Sequence, residues 1–284
     1  MTREPTATHR LGHVSDSHFT RTGLLHGDVA TADTFHAALE ALEASGIPFD
    51  ALVHTGDVAD DGDPVSYESA RSTTEAVTAR TGWPVLWVPG NHDVREPFAR
   101  HLLDAPGTGE PLDQVHDVRG LRVVVLDTSI PQHVEGGLDA SRTEWLRAQL
   151  AEPAEHGTVL ALHHPPVPVE VTGLQRLHLT GQDELARVIE GSDVRAVLGG
   201  HLHYLTSSVI AGVPVFVAPA TAYVIRLTRP GGGVVGADGG RAAGVLSLYD
   251  DGRVGYSLLG TDPVRVVAET PDSYFDSMGV DLER

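Results

Sequence analysis

Short apolar runs recur along this chain, and each one ends in a cluster of polar residues. Leu11–Val14 runs into Asp16-Ser17-His18, Ala51–Val53 into Gly56-Asp57, and Val85–Val88 into Gly90-Asn91-His92-Asp93. Val159–Leu162 runs into His163-His164, and Val194–Leu198 into Gly199-Gly200-His201-Leu202-His203. Runs this short and apolar predict buried strands. Helical spacing fills the intervals. Phe35, Ala38, Leu39 and Leu42 form one apolar stripe within Thr31–Ser45. Asp63-Pro64 reads as an N-cap followed by proline at the first helical position, opening a helix towards Arg80. Ser141-Arg142-Thr143-Glu144 reads as a capping box ahead of Trp145, Leu146 and Leu150. Thr180 with Asp183 opens a further helix through Leu185, Val188 and Ile189, ending near Gly191. Strand–helix alternation predicts an α/β protein.

Past residue 205 the rhythm changes. Ser207–Ile210, Val213–Val217, Gly244–Leu248 and Val254–Leu258 predict strands without intervening helices, hence a second, antiparallel sheet. Seven glycines in Pro230–Gly244 predict a flexible loop. The polar clusters span Asp16 to His203, so residues 1–260 read as one domain. Residues 261–284 form an acidic tail without a clear period.

Composition narrows the function classes. The 284 residues suffice for one large domain. Twenty Lys+Arg against 39 Asp+Glu give a net charge of −19. Without a local basic patch, such a surface repels nucleic-acid polymers and anionic membranes. No apolar run approaches the ~20 residues of a spanning helix, and the polar N-terminus predicts a cytoplasmic protein. The absence of cysteine excludes disulfides, thiolate nucleophiles and Cys-ligated metals. Histidine, by contrast, occurs 16 times.

In open α/β sheets, ligands gather beyond the carboxyl ends of the strands. If the five runs are neighbours, they deliver Asp16, His18, Asp57, Asn91, His163, His201 and His203 to one spot. Packed together without a cation, these carboxylates and imidazoles would be unfavourable. Two ions resolve the conflict. One would take Asp16, His18 and His203, and the other Asn91, His163 and His201. Asp57 would bridge them with its two oxygens. All-O/N ligation with several imidazoles points to Mn, Fe, Zn or Co rather than Mg, Ca or Cu(I). Two divalent ions, two aspartates and one hydroxide sum to about +1, so the pocket can attract a small phosphate ester.

The ordered series Asp16-x-His18, Gly56-Asp57, Gly90-Asn91-His92-Asp93, His163 and Gly200-His201-x-His203 resembles the calcineurin-like metallophosphoesterases over residues ~9–260. His54–Gly62, Leu162–Pro166, Gly200–Tyr204 and Val125–Ser129, with the glycine-rich 230–244 stretch, resemble the bacterial class III cyclic-nucleotide phosphodiesterases. The resemblance implies a four-layer αββα sandwich of two mixed sheets, a metal pair, hydrolysis of 3′,5′-cyclic nucleotides to 5′-nucleotides, and a homodimer. It implies that a metal-bridging hydroxide attacks phosphorus. His92 would bind a phosphate oxygen or protonate the leaving alkoxide, with Asp60 as its orienting carboxylate. The substrate phosphate would face His18, Asp57, Asn91, His92 and His203.

Only one of His163 and His164 should face the metals if they lie in a strand, and the resemblance selects His163. His164 then reads as a supporting residue, and His133 as the remaining histidine most able to reach substrate. Asp93 reads as a helix N-cap, and Pro165–Leu179 as a rigid rim. Glycerophosphodiesters, 2′,3′-cyclic nucleotides and phosphomonoesters are alternative substrates for the same ligand set. A DNA nuclease is disfavoured by the charge. A non-catalytic metal-binding module is disfavoured by the complete motif series.

Overall fold

The four residues Leu11–Val14 are all buried, which requires a strand covered on both faces. That pattern recurs through the fold. The computed structural model describes residues 5–169, 171, 173–227, 233–265, 267 and 270. In chain order the main elements begin with β1 (Ala7–Val14), α1 (Thr31–Ala44), β2 (Ala51–His54), α2 (Pro64–Thr81), β3 (Val85–Trp87) and α3 (Arg95–Leu102). They continue with β4 (Gln114–Val118), β5 (Leu121–Leu126), α4 (Ala140–Gln149), β6 (Thr158–Leu162), α5 (Gln182–Ile189) and β7 (Val194–Gly199). β8 (Thr206–Ile210), β9 (Val213–Val217), β10 (Ala242–Tyr249) and β11 (Val254–Gly260) complete the set.

These strands form a five-stranded sheet, order β11-β10-β1-β2-β3, and a six-stranded sheet, order β8-β9-β7-β6-β5-β4. Both are mixed. β1, β2 and β3 run parallel, β10 lies antiparallel to β1, and β11 antiparallel to β10. β5, β6, β7 and β9 run parallel, with antiparallel edges β4 and β8.

Side-chain alternation assigns the layers, because successive residues of a strand point to opposite faces. Leu11, Ala51, Val53, Val123, Val125, Val159 and Ala161 share the cluster between the sheets. Their strand neighbours Val14, Leu52 and Trp87 turn outward onto Phe35, Leu39 and Leu42 of α1, Tyr67 of α2 and Phe98 of α3. On the far side Val124, Leu126, Leu160 and Leu162 meet Leu146 of α4 with Leu185 and Ile189 of α5. Three apolar seams therefore join four layers, the αββα sandwich that the motifs imply. Phe35, fully buried, contributes roughly 1.5–3 kcal/mol by burial of this kind.

Several local expectations are corrected. The four strands predicted after residue 205 do not form a sheet of their own. β8 and β9 extend the sheet of β6 and β7, whereas β10 and β11 join β1. The five motif-bearing strands are accordingly not all neighbours: three lie in one sheet and two in the other. α4 is capped by Asp139, whose side chain accepts the Arg142 N–H, so Ser141 lies inside the helix. α5 starts at Gly181 in the left-handed region, while Thr180 pairs with Gly137 in a two-residue ladder. The glycine-rich stretch contains Val235–Ala237, paired with Val224–Arg226, and ends inside β10; residues 230–232 lie outside the described residues. Asp63 does cap α2, as expected, by accepting the Val65 N–H. Of the tail, only 261–265, 267 and 270 are described.

Candidate metal centre

The carboxyl ends of β1, β2 and β3 meet those of β6 and β7 at one edge of the sandwich. Asp16, His18, Asp57, His201 and His203 all have positive φ, from 47° to 70°. Such a conformation is uncommon for non-glycine residues, and roughly 1–3 kcal/mol of strain per residue must be offset by the surrounding structure. The loops brace one another. The Asp16 N–H donates to the Gly56 carbonyl at 2.9 Å, and the His18 N–H to the Asp57 carbonyl at 3.0 Å. Two motif glycines are required by close approach. A Cβ on Gly56 would lie 2.5 Å from Nδ1 of His163, and one on Gly90 would overlap the Asp57 carboxylate.

Asp16, His18, Asp57 and His203 form one tight group, with potential ligand atoms within 4.8 Å of one another. His18 Nε2 and His203 Nε2 are 3.0 Å apart, and Asp16 Oδ1 lies 3.4 Å from His203 Nε2. Beside them His163 Nε2 faces Asn91 Oδ1 at 3.1 Å and His201 Nδ1 at 3.2 Å. Asp57 Oδ2 lies between the groups, 3.6 Å from His18 Nε2 and 3.3 Å from His163 Nε2. The structure thus brings all seven candidate residues together at one edge, and adds His164 beside His163 and His201, and Asp60 and His92 beside His18. It changes the role available to Asp57. Oδ1 accepts the His92 backbone N–H at 2.9 Å, so Oδ2 alone faces both groups.

The donor set fits a metal pair. Each of the four histidines faces an acceptor with its outer nitrogen. His18 Nδ1 faces Asp60 Oδ1 at 3.0 Å, and His203 Nδ1 faces the Tyr223 carbonyl at 3.1 Å. His163 Nδ1 faces the Thr55 carbonyl at 2.7 Å, and His201 Nε2 the Leu177 carbonyl at 3.0 Å. A neutral ring donating outward keeps its lone pair inward, the usual arrangement of metal-ligating histidine. Imidazole nitrogens 3.0–3.2 Å apart beside two carboxylates must share either a proton or a cation between them. Electrostatics agree. Burial alone would raise Asp16 and Asp57, but their histidine neighbours hold both below the ordinary range. Burial lowers His163, yet Asp57 and Asp16 outweigh it and push the ring up to about 9. The carboxylates therefore demand positive charge at this spot.

His92 stands at the rim. Its ring meets His18 edge-on at 4.8 Å. Nδ1 lies 3.0 Å from the Asp60 carbonyl and 3.2 Å from its carboxylate. The side-chain hydrogen bond to Asp60 pushes His92 up to about 10 against the opposing effect of burial. The strand β6 ends at Leu162, so His163 and His164 do not alternate as expected. The His164 ring lies 4.8 Å from His163 and 4.5 Å from His201, and the three form a second group with potential ligand atoms within 4.8 Å, while His164 Nδ1 bonds Thr128 Oγ1 at 2.8 Å. His133 is exposed and pairs with Glu135 at 2.8 Å.

Three supports escape the sequence reading. Asp93 is a buried clamp rather than a cap. Its carboxylate accepts N–H bonds from Gly90, Val58 and Ala59 at 2.8–3.1 Å, while Val94 occupies the N-cap of α3. Tyr223 holds His203 through its carbonyl and places its ring 4.6 Å from that imidazole. Leu177, in the segment read as a rim, supplies the carbonyl that orients His201. The Gly90-Asn91-His92-Asp93 string gave a signal for Asp93; backbone carbonyls give none.

Fold and centre together define an αββα scaffold carrying a His/Asp cluster able to hold a metal pair. The calcineurin-like phosphoesterase family model matches residues 9–205, and this chain belongs to that family. It is 43% identical over 248 residues to a cAMP/cGMP dual specificity phosphodiesterase of Mycobacterium tuberculosis, covering 87% of this chain and 78% of that protein. It is 30% identical over 258 residues to the 3′,5′-cyclic adenosine monophosphate phosphodiesterase CpdA of Pseudomonas aeruginosa, covering 89% and 90%. A glycerophosphodiester phosphodiesterase, GpdQ of Enterobacter lignolyticus, is 28% identical over 78% of this chain and 81% of its own. Among solved structures, a dimetal phosphatase from Danio rerio superposes with a TM-score of 0.64 at 15% identity, covering 90% of this chain and 98% of that one.

Proposed function

We propose that this protein is a binuclear-metal phosphodiesterase that hydrolyses 3′,5′-cyclic nucleotides to 5′-nucleotides. The observation that carries the reading is Asp57 Oδ2, set between two groups of inward-facing imidazoles. Asp16, His18, Asp57 and His203 would hold one ion. Asp57, Asn91, His163 and His201 would hold the other, with Mn, Fe or Zn suited to these ligands. When bound, such a pair activates water and neutralises charge on the phosphoryl oxygens.

The chain's own groups supply the rest. His92, kept protonated by Asp60, presents Nε2 to a phosphate oxygen or to the departing alkoxide, to which it delivers its proton. Asp60 holds that ring and the His18 ring in register. His18, Asp57, Asn91 and His203 line the phosphate position. The names of the mycobacterial and Pseudomonas relatives support the cyclic-nucleotide reading. The GpdQ relative favours glycerophosphodiesters as the second reading. Organisation of residues 1–260 as one domain, cytoplasmic residence and homodimerisation belong to the same proposal. Among the described residues, no helix is long and apolar enough to cross a membrane.

The test is metal analysis followed, on the same sample, by a panel of 3′,5′-cyclic AMP and GMP, 2′,3′-cyclic AMP, a glycerophosphodiester and a nitrophenyl phosphate. Two metal ions per chain and preferential turnover of the 3′,5′-cyclic nucleotides are expected. A metal-loaded protein inert towards cyclic nucleotides would refute the assignment.

A further inference from the structure

A cleft of about 430 Å³ opens directly from Asn91 and His92, within the range of small-ligand sites. Val94, Ile130 and Pro131 give it apolar walls, and Gln132 stands at its rim. Arg95 is its one arginine, and that charge is already matched. Nε of Arg95 donates to Asp127 at 2.8 Å, and Nη2 to the Ser129 carbonyl at 2.9 Å. Asp127 in turn accepts the Ser129 N–H and hydroxyl at 2.9 and 2.6 Å. The wall is thus fixed in place before any ligand arrives, and it offers no spare cation to a second phosphate.

We propose that this cleft is the nucleoside site, taking a neutral purine nucleoside on the leaving-oxygen side of the phosphate. The inference rests on the phosphodiesterase reading above. In a cyclic 3′,5′-diester the departing oxygen remains attached to the sugar. The cleft is lined by Asn91 and His92 at the edge of the candidate centre, so a sugar and base attached to a phosphate held there reach directly into it. Its apolar walls suit the face of a flat base far better than a glycerol group. Its paired arginine leaves a di- or triphosphate chain without a partner.

The experiment uses full-length, Mn-loaded protein. Bis(4-nitrophenyl) phosphate is the reporter, and 5′-AMP and inorganic phosphate are competitive inhibitors. Ile130→Ala removes a wall and Val94→Trp narrows the opening. In each variant the inhibition constant for 5′-AMP is expected to rise at least fivefold. That for phosphate should stay within twofold, with metal content unchanged. No change for 5′-AMP, or an equal rise for both inhibitors, overturns the assignment. So does weakening of 5′-AMP by Tyr223→Leu alone. Cyclic AMP turnover by the unsubstituted protein separates the two claims. An enzyme that cleaves cyclic AMP but ignores both cleft substitutions refutes the nucleoside site only. One inert to cyclic AMP, yet showing the expected inhibitor pattern, refutes the proposed activity only.

Discussion

His18 and His92 are tied to the same carboxylate oxygen: Asp60 Oδ1 lies 3.0 Å from Nδ1 of His18 and 3.2 Å from Nδ1 of His92. One acid thus orients a candidate ligand and favours the proton on a candidate general acid. Asp60→Asn keeps an acceptor for His18 but removes the negative charge beside His92. Because that charge raises the His92 pKa, its loss moves the alkaline limb of the rate profile towards lower pH. The limb should shift by at least one pH unit, so that kcat on the alkaline side of it falls ~10-fold with metal content retained. A profile of kcat against pH checks this; an unmoved alkaline limb contradicts it.

His92→Ala tests the other end of the link. The ring packs edge-on against His18 and turns Nδ1 towards Asp60. Turnover of cyclic nucleotides should fall ~10²–10⁴-fold, the usual range for loss of a general acid. Two ions per chain should remain by elemental analysis. Loss of metal in this variant would make His92 a ligand and remove it from the proton-transfer role.

Two buried carboxylates beside converging imidazole nitrogens make the centre one whose charge bound cations compensate. Stripping the metals with a chelator should therefore lower the melting temperature as well as abolish activity. At a free metal concentration of ~100 times Kd, binding contributes about 2.7 kcal/mol, and for a chain of this size the shift should be several degrees. Differential scanning calorimetry before and after chelation, followed by addition of Mn, Fe or Zn, measures it. An unchanged melting temperature would mean that the groups are not metal sites.

Much of this site can be read from the chain because its chemistry is local. Each ligand sits within a few residues of a strand end, and apolar runs mark strand ends well. Sheet membership is different. β1 pairs with β10, His9 opposite Leu248, and no periodicity encodes a partner so far away in sequence. α3 escapes because its stripe has few apolar residues in eight. β4 (Gln114-Val115-His116-Asp117-Val118) escapes because an edge strand carries polar residues. The single-oxygen role of Asp57 depends on a backbone N–H from His92, and main-chain donors have no side-chain signature. The α/β class follows from strand–helix alternation and the four layers from the motif resemblance; which strand lies beside which follows from neither.

Asp93 offers the sharpest test of a support that local pattern mislabelled. Three N–H groups, from Val58, Ala59 and Gly90, end on its buried carboxylate. They tie the Asp57 loop to the Asn91 loop. Asp93→Ala leaves these donors without a partner, at ~1–3 kcal/mol for each. A loss of at least ~3 kcal/mol in urea unfolding is expected, together with weaker metal binding. Asp93→Asn, which keeps one acceptor oxygen, should lose less. Equal stability of Asp93→Ala and the parent would show that the loops do not need the clamp.

Two histidines outside the ligand set should make the fold acid-sensitive. His13 lies buried between Tyr256 and Thr55, its ring nitrogens 2.8 and 2.9 Å from their hydroxyls. His54 accepts the Gly56 N–H at Nδ1 and bonds Ser17 Oγ through Nε2, which fixes it as a neutral ring. Burial drives both down to about 3, whereas an unfolded chain takes up those protons near pH 6.5. Between these values the unfolded state binds more protons, so stability rises with pH there and is fully present above 6.5. It is lost as pH falls, by about 1.4 kcal/mol per pH unit for each ring once the unfolded histidine is fully protonated. His13→Gln removes one such group and leaves the metal centre intact. Its urea midpoint should therefore fall less steeply between pH 6 and 4, by close to one proton in the linkage slope. Metal release in acid affects parent and variant alike and cancels in the comparison. Identical slopes would mean that His13 takes up its proton in the folded protein as readily as in the unfolded chain.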